Sequence, residues 1–198
     1  MPQIPAALAD HPDRLRWNER YRAAGFVPSF TAHPLAEQAL SMRLPDGPVL
    51  ELACGPSGSA LLAAAEGRLV TAVDASDVAI GLLEQEARRR HLDDHITLVL
   101  ADLGWWRPDA AGYALVLCTG YWDRATFAAA AGAVRPGGMI GWEALTQAAR
   151  RDRPQLPPEW CVGPGEPAAL LPADFEVISQ DEAPPELATR RRLLARRH

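Results

Sequence analysis

The sequence predicts an α/β protein: a doubly wound sheet of seven strands, mostly parallel, with an antiparallel last strand. Three observations carry this expectation. Short apolar runs alternate with helix-forming segments between residues 49 and 145, the pattern of strands joined by crossover helices. The first run, Val49-Leu50-Glu51-Leu52, leads through the small-residue turn Ala53-Cys54-Gly55-Pro56-Ser57-Gly58 into a helix former. The second and third runs end in acids, Asp74 and Asp102. In an open parallel sheet, ligands lie beyond the carboxyl ends of the strands, where those groups fall.

Composition sets the bounds. The 198 residues, 48% hydrophobic and 23% charged, suffice for one sizeable core and are read as one domain, 1–198. Residues 1–45 form a helical cap, 46–145 a ligand-binding core, and 146–198 a substrate loop with a closing hairpin. A net charge of −5 argues against a nucleic-acid or anionic-membrane partner. No apolar run approaches the ~20 residues of a membrane span, and Met1 to Pro5 lack a signal-peptide pattern. Cys54, Cys118 and Cys161 are widely spaced with no C-x-x-C, which points to a reducing cytoplasm and against a metal site.

The elements follow in order. The first ten residues, rich in Pro and Ala, are expected to be loosely ordered. His11-Pro12-Asp13 looks like a helix start, and a short helix from Arg14 to Ala24, closed by Gly25, puts Trp17 and Tyr21 on one face. They either pack the helix on the domain or cover a ligand pocket as a mobile lid. A second helix spans about His33 to Leu44, before the breaker Pro45-Asp46-Gly47-Pro48. The helix after the glycine turn ends near Gly67, and the strand Leu69 to Val73 ends in Asp74. Asp74 lies about 20 residues past the turn, where an acid can accept from both ribose hydroxyls. Ser76 caps the helix from Asp77 to about His91, which leaves Asp74 for a ligand. Ile96 to Ala101 is the third strand; Asp102 at its end could accept from an adenine amino group, with Trp105 or Trp106 walling the ring. Tyr113 to Cys118 is the fourth strand, Thr126 to Val134 a helix, Arg135-Pro136-Gly137-Gly138 a compact turn and Met139 to Leu145 the fifth strand. Arg150 to Pro172 reads as a functional loop with a short helix at Pro167 to Leu171. Phe175 to Ile178 and Arg191 to Arg196, joined by the short turn Asp181 to Pro185, must be antiparallel.

Taken together, the parallel strands, the two strand-end acids, the R-P-G-G segment and the closing hairpin resemble the class I S-adenosylmethionine-dependent methyltransferases, whose sheet is Rossmann-like. The resemblance covers about Pro48 to His198. Val49 to Gly55 looks like the family's first motif, an acid followed by alternating glycines. Trp17-Asn18-Glu19-Arg20-Tyr21 is similar to the tellurite-resistance and thiopurine-methyltransferase-like branch, which acts on small molecules. The resemblance implies S-adenosyl-L-methionine as cofactor, its methionine end over Ala53 to Gly55 and its amino group held by Glu51. It places the ribose on Asp74 beside Ala75, the adenine on Asp102 and Leu103, and a backbone contact at Cys118, with Trp17 and Tyr21 as cover. Two positions depart from the pattern: Ala53 and Ser57 stand where glycines are usual. Ala53 is expected to be tolerated as extended backbone, with Gly58 taking the strained geometry that Ser57 would resist.

Methyl transfer from a sulfonium chiefly requires alignment, exclusion of water and, for a neutral nucleophile, a proton acceptor. Tyr121, Trp122, Glu143 and His33 are the candidates at the reacting edge; Tyr121 and Glu143 are assigned to catalysis, Glu143 as general base if burial raises its pKa. The short chain favours a small-molecule acceptor. Two other readings stay open, a nicotinamide-dependent oxidoreductase and a non-catalytic S-adenosylmethionine-binding protein. The absence of any lysine, hence of a Tyr-x-x-x-Lys pair, weighs against the oxidoreductase.

Overall fold

The computed structural model describes residues 4–181 and 188–198. Its strands are β1 (Val49–Leu52), β2 (Val70–Asp74), β3 (Ile96–Leu100), β4 (Tyr113–Thr119), β5 (Val134–Leu145), β6 (Phe175–Gln180) and β7 (Arg190–Arg197). They form one seven-stranded sheet in the order β3-β2-β1-β4-β5-β7-β6. Strands β1 to β5 pair in parallel, and β7 runs antiparallel to both of its neighbours. The order reverses at β1, so the crevice between the ends of β1 and β4 is the topological switch point where such sheets bind ligands.

The helices are α1 (Pro12–Arg22), α2 (Pro34–Ser41), α3 (Gly58–Ala65), α4 (Asp77–Arg89) and α5 (Arg124–Ala133). They cover a sheet whose central strands are apolar on both faces, which is why β1 is buried at all four positions. Alternation along β5 sends Ile140, Trp142 and Ala144 into one core with Phe127 of α5, and Met139 into the other with α2 and α3. Along β7, Leu193 and Ala195 join the first core and Leu194 the second. Side-chain caps fix several helix starts at the strand ends: Ser57 accepts from the Ala60 amide, Ser76 from Ala79 and Asp123 from Thr126.

Several boundaries differ from the sequence reading. Helix α1 starts where His11-Pro12-Asp13 predicts, with Pro12 in its first turn, a position whose N–H has no helical partner, but it ends at Arg22, two residues early. Helix α2 stops at Ser41, before the breaker, and α4 at Arg89. The N-terminal segment is not loose from residue 6: Ala6–Leu8 form a 3-10 turn that buries Leu8. The R-P-G-G segment is a bulge within β5 rather than a turn before it. Tyr113 pairs with Val134 and Leu115 with Met139, so two steps along β4 face five along β5, and Gly137 takes φ +78°. The 150–172 loop holds short 3-10 turns, with Ala168–Leu170 in place of the expected helix. Apart from Asp181, the expected hairpin turn lies outside the described residues, as do residues 1–3. Among the described residues, no helix is long and apolar enough to cross a membrane.

Candidate active site

The site begins where β1 ends. Ala53 leaves the strand with φ +48° and Gly55 follows with φ +57°, two left-handed residues in one turn. Ala53 is therefore not extended, contrary to expectation, and its Cβ in this region costs about 1–2 kcal/mol. Gly58 does not take the strain either. Its requirement is space: a Cβ there would lie 2.3 Å from the Thr31 carbonyl carbon, so glycine lets the 30–31 segment cross the start of α3. Ser57, the apparent misfit, has an ordinary φ of −83°. Its hydroxyl accepts from the Ala60 amide at 3.0 Å and donates to Glu51 Oε2 at 2.7 Å.

Glu51 is thus a buried carboxylate, 2% exposed, aimed at the turn. Burial, with a further push from the nearby Asp74, outweighs the Ser57 bond and raises its pKa to about 7; among the described residues no cation opposes the rise. At the end of β2, Asp74 Oδ2 accepts from the Gly55 amide and Oδ1 from the Ser76 amide, both at 2.8 Å. Asp74 therefore shapes the glycine turn directly. Burial raises its pKa against these amide bonds. Two amides leave part of the acceptor capacity of a carboxylate unspent. Ala75 follows it at the edge, before the Ser76 cap.

Tyr21 sits over this turn: a Cβ on Gly55 would lie 3.0 Å from its hydroxyl oxygen. Its ring stacks on Trp17 at 5.8 Å and meets Phe26 edge-on at 5.2 Å, and burial raises its phenol pKa. What holds α1 there escaped the sequence reading. Arg14 Nε and Asn18 Nδ2 each donate to Asp77 Oδ1 at 2.7 Å, and Asn18 Oδ1 accepts from Ser76 Oγ at 2.6 Å. Asn18 and Asp77 are both 2% exposed. This buried network docks the helix on the domain, the packing alternative of the two, and leaves Tyr21 over the turn. The available signal was the polar i, i+4 pair Arg14 and Asn18 on a face next to the aromatics.

At the end of β3, Asp102 Oδ1 accepts from the Gly104 amide at 2.9 Å, and Oδ2 lies 3.5 Å from His11 Nε2. Leu103 is buried, and its carbonyl accepts from Thr126 Oγ1 at 3.4 Å. Trp105 is 87% exposed and does not wall this position, whereas Trp106 packs against the core.

At the ends of β4 and β5, Cys118 is buried with its thiol toward the Tyr121 carbonyl at 3.7 Å. That carbonyl also accepts from Trp142 Nε1 at 3.0 Å. Burial pushes the Tyr121 phenol up to about 12. The general-base role expected of Glu143 does not fit its surroundings. Arg190 Nη1 and Arg192 Nε donate to its two oxygens at 2.6 and 2.5 Å, and His33 Nε2 lies at 3.2 Å. Against its burial, these partners hold its pKa down near about 2. A carboxylate so committed is a poor proton acceptor at neutral pH. His33 is occupied likewise, because its Nδ1 accepts from the Leu35 amide to cap α2. The structure thus gathers Tyr21, Glu51, Ala53, Gly55 and Asp74 around one turn, with Asp102 and Leu103 on the next strand end. Glu143, ion-paired to Arg190 and Arg192 with His33 beside it, forms a separate cluster. No cluster of described residues could hold a metal ion.

Residues 49–138 match a sequence family described as a methyltransferase domain. No curated protein matches the chain in sequence. Among solved structures, one from work on the conversion of a disulfide bond into a thioacetal group during echinomycin biosynthesis aligns with a TM-score of 0.66 at 20% identity, over 93% of this chain and 92% of that one. Geranyl diphosphate C-methyltransferase from Streptomyces coelicolor A3(2), with Mg2+, geranyl diphosphate and S-adenosyl-L-homocysteine, aligns at 0.62 and 14% identity, over 82% and 76%. Magnesium protoporphyrin IX methyltransferase from Synechocystis PCC 6803, with bound S-adenosylhomocysteine, aligns at 0.61 and 18%, over 83% and 80%. The matched core and the sheet order together give the chain the Rossmann-like fold of a methyltransferase domain.

Proposed function

We propose that the protein transfers the methyl group of S-adenosylmethionine to a small molecule bound beside the ends of β4 and β5. The observation that carries this reading is Glu51, a buried carboxylate with no cation among the described residues to neutralise it, facing a turn of two left-handed residues. Such a group fits the α-ammonium of the cofactor, and the glycine turn lets a ligand approach the backbone. The remaining acceptor capacity of Asp74 suits ribose hydroxyls, with Ala75 alongside. Asp102 and Leu103 are positioned for the adenine, Cys118 for a backbone contact, and Trp17 and Tyr21 to keep water from the site. The W-x-x-R-Y segment that carries those two aromatics is what favours the tellurite-resistance and thiopurine-methyltransferase-like branch.

Bound S-adenosylmethionine supplies an activated methyl group, so the chain has to align the acceptor and exclude water. Tyr121, whose phenol stays protonated at neutral pH, is placed to orient an acceptor rather than to deprotonate it. With Glu143 and His33 engaged elsewhere, the reading favours acceptors that need no strong protein base. A small acceptor is supported by the geranyl diphosphate described for one structural neighbour. Three free cysteines agree with a cytoplasmic setting.

A screen with methyl-labelled cofactor across thiols, amines, hydroxyls and oxyanions tests the proposal. Transfer to at least one class, abolished by excess S-adenosylhomocysteine, is the expected result. Cofactor binding with no transfer to any class would instead support a non-catalytic binder.

A further inference from the structure

On the face of β5 and β7 that carries Trp142 and Leu193, one buried donor lacks an acceptor and one largely buried guanidinium is only partly engaged. Trp122 is 4% exposed, yet its Nε1–H has no hydrogen-bond partner among the described residues. A buried indole N–H without a partner is unusual, because its desolvation goes uncompensated. Arg191, opposite Ala144 in the sheet, is 7% exposed. Its Nη1 donates to the Gly163 and Glu166 carbonyls at 2.6 and 3.0 Å. Its Nε and Nη2, the side-on fork of the guanidinium, engage none of the described residues, and no described carboxylate forms an ion pair with it. Glu166 carries the nearest candidate charge, but both its oxygens are held by Arg124 at 2.9 Å, and Oε2 also accepts from the Gly163 amide. Arg124 in turn lies 6.0 Å from the Trp122 ring. The two donors are thus joined through one ion pair that leaves a surplus positive charge.

We infer that the methyl acceptor carries an oxyanion, a carboxylate or a phosphate, docked between the free fork of Arg191 and the Trp122 indole N–H. The fork matches two oxygens of such a group, and charge-assisted bonds there are the strong kind. The inference rests on reading this edge as the acceptor side of a methyltransferase. It also gives the 163–166 segment a purpose, because its two carbonyls orient Arg191.

Calorimetry on the protein saturated with S-adenosylhomocysteine tests this, using benzoate, phenyl phosphate and neutral benzyl alcohol as probes. At least one anion is expected to bind, with benzyl alcohol about tenfold weaker or worse, and the favoured anion tells carboxylate from phosphate. Trp122→Phe keeps the packing and loses the N–H, so it is expected to weaken the anion about fivefold; Arg191→Gln is expected to cost about tenfold or more. S-adenosylhomocysteine affinity serves as the folding control in both variants. Equal binding of benzyl alcohol, no binding of any probe, or anion affinity untouched in both variants overturns the inference. A protein that takes up no S-adenosylhomocysteine fails at the underlying methyltransferase reading instead.

Discussion

Glu51 offers the sharpest perturbation. In the cofactor-free protein its pKa stands at about 7 instead of 4.5. At ~1.4 kcal/mol per pKa unit, that difference sets about 3 kcal/mol against the ionised form. The unfolded chain releases this proton near 4.5, whereas the folded chain keeps it to about 7. Between those values the folded state binds more protons, so Glu51 lowers stability progressively as pH rises, and the loss is complete above about 7. Glu51→Gln removes the charge and keeps an acceptor for Ser57. The cofactor-free variant is therefore expected to match wild type near pH 4.5 and to exceed it by up to about 3 kcal/mol at pH 8. The same variant gives up the partner of the cofactor ammonium, and S-adenosylhomocysteine is expected to bind it more weakly by about 1.5–3 kcal/mol. Urea unfolding across this pH range and calorimetry at pH 8 measure the two effects. A variant less stable than wild type at pH 8, or one that binds S-adenosylhomocysteine unchanged, refutes the assignment.

The other predictions follow from the same geometry. Asp74→Ala removes both the acceptor proposed for the ribose and the anchor of the Gly55 amide. Its cofactor affinity is expected to fall by about 1.5–3 kcal/mol; calorimetry on variant protein shown folded by circular dichroism checks this. Ala53→Gly relieves a left-handed alanine and is expected to stabilise the protein by roughly 1 kcal/mol in urea unfolding; destabilisation would mean that the Ala53 methyl does more than endure strain. Glu143→Gln is expected to leave the pH profile of methyl transfer in place, since the ion-paired carboxylate is not the proton acceptor; loss of the acid limb, where a general base would be protonated, contradicts this. The same pairing makes Glu143 a contributor to stability above the ordinary carboxylate pKa of 4.5, lost as pH falls toward about 2. The variant is therefore expected to show a flatter acid-unfolding limb than wild type.

Much of the fold was legible because it rests on short-range signals. Apolar runs of strand length, separated by helix formers, located β1 to β5, and the brief connection between the last two strands required their antiparallel pairing. Ser76 as a cap and Asp74 at a strand end were likewise readable from local chemistry. What was hidden depends on contacts distant in sequence. Asn18 reaches Asp77 and Ser76 across about 60 residues, and nothing in the sequence pairs them. Glu143 is buried, but the sign of its pKa shift is set by His33, Arg190 and Arg192, the last two brought by strand pairing from 47 and 49 residues away. The glycine turn was misread for a related reason. Counting glycines locates a turn but does not say which residue takes the left-handed angle or which needs space. Ala53 takes the angle, and Gly58 needs the space because residues 30 and 31 cross it.

The most direct measurement of the central claim is calorimetry of the purified protein against S-adenosylhomocysteine, with NAD and NADP as parallel titrants. One site per chain for S-adenosylhomocysteine, weakened in Glu51→Gln and in Asp74→Ala, with no heat from either nicotinamide cofactor, is the predicted result. Binding of NAD or NADP with none of S-adenosylhomocysteine would contradict the account at its root.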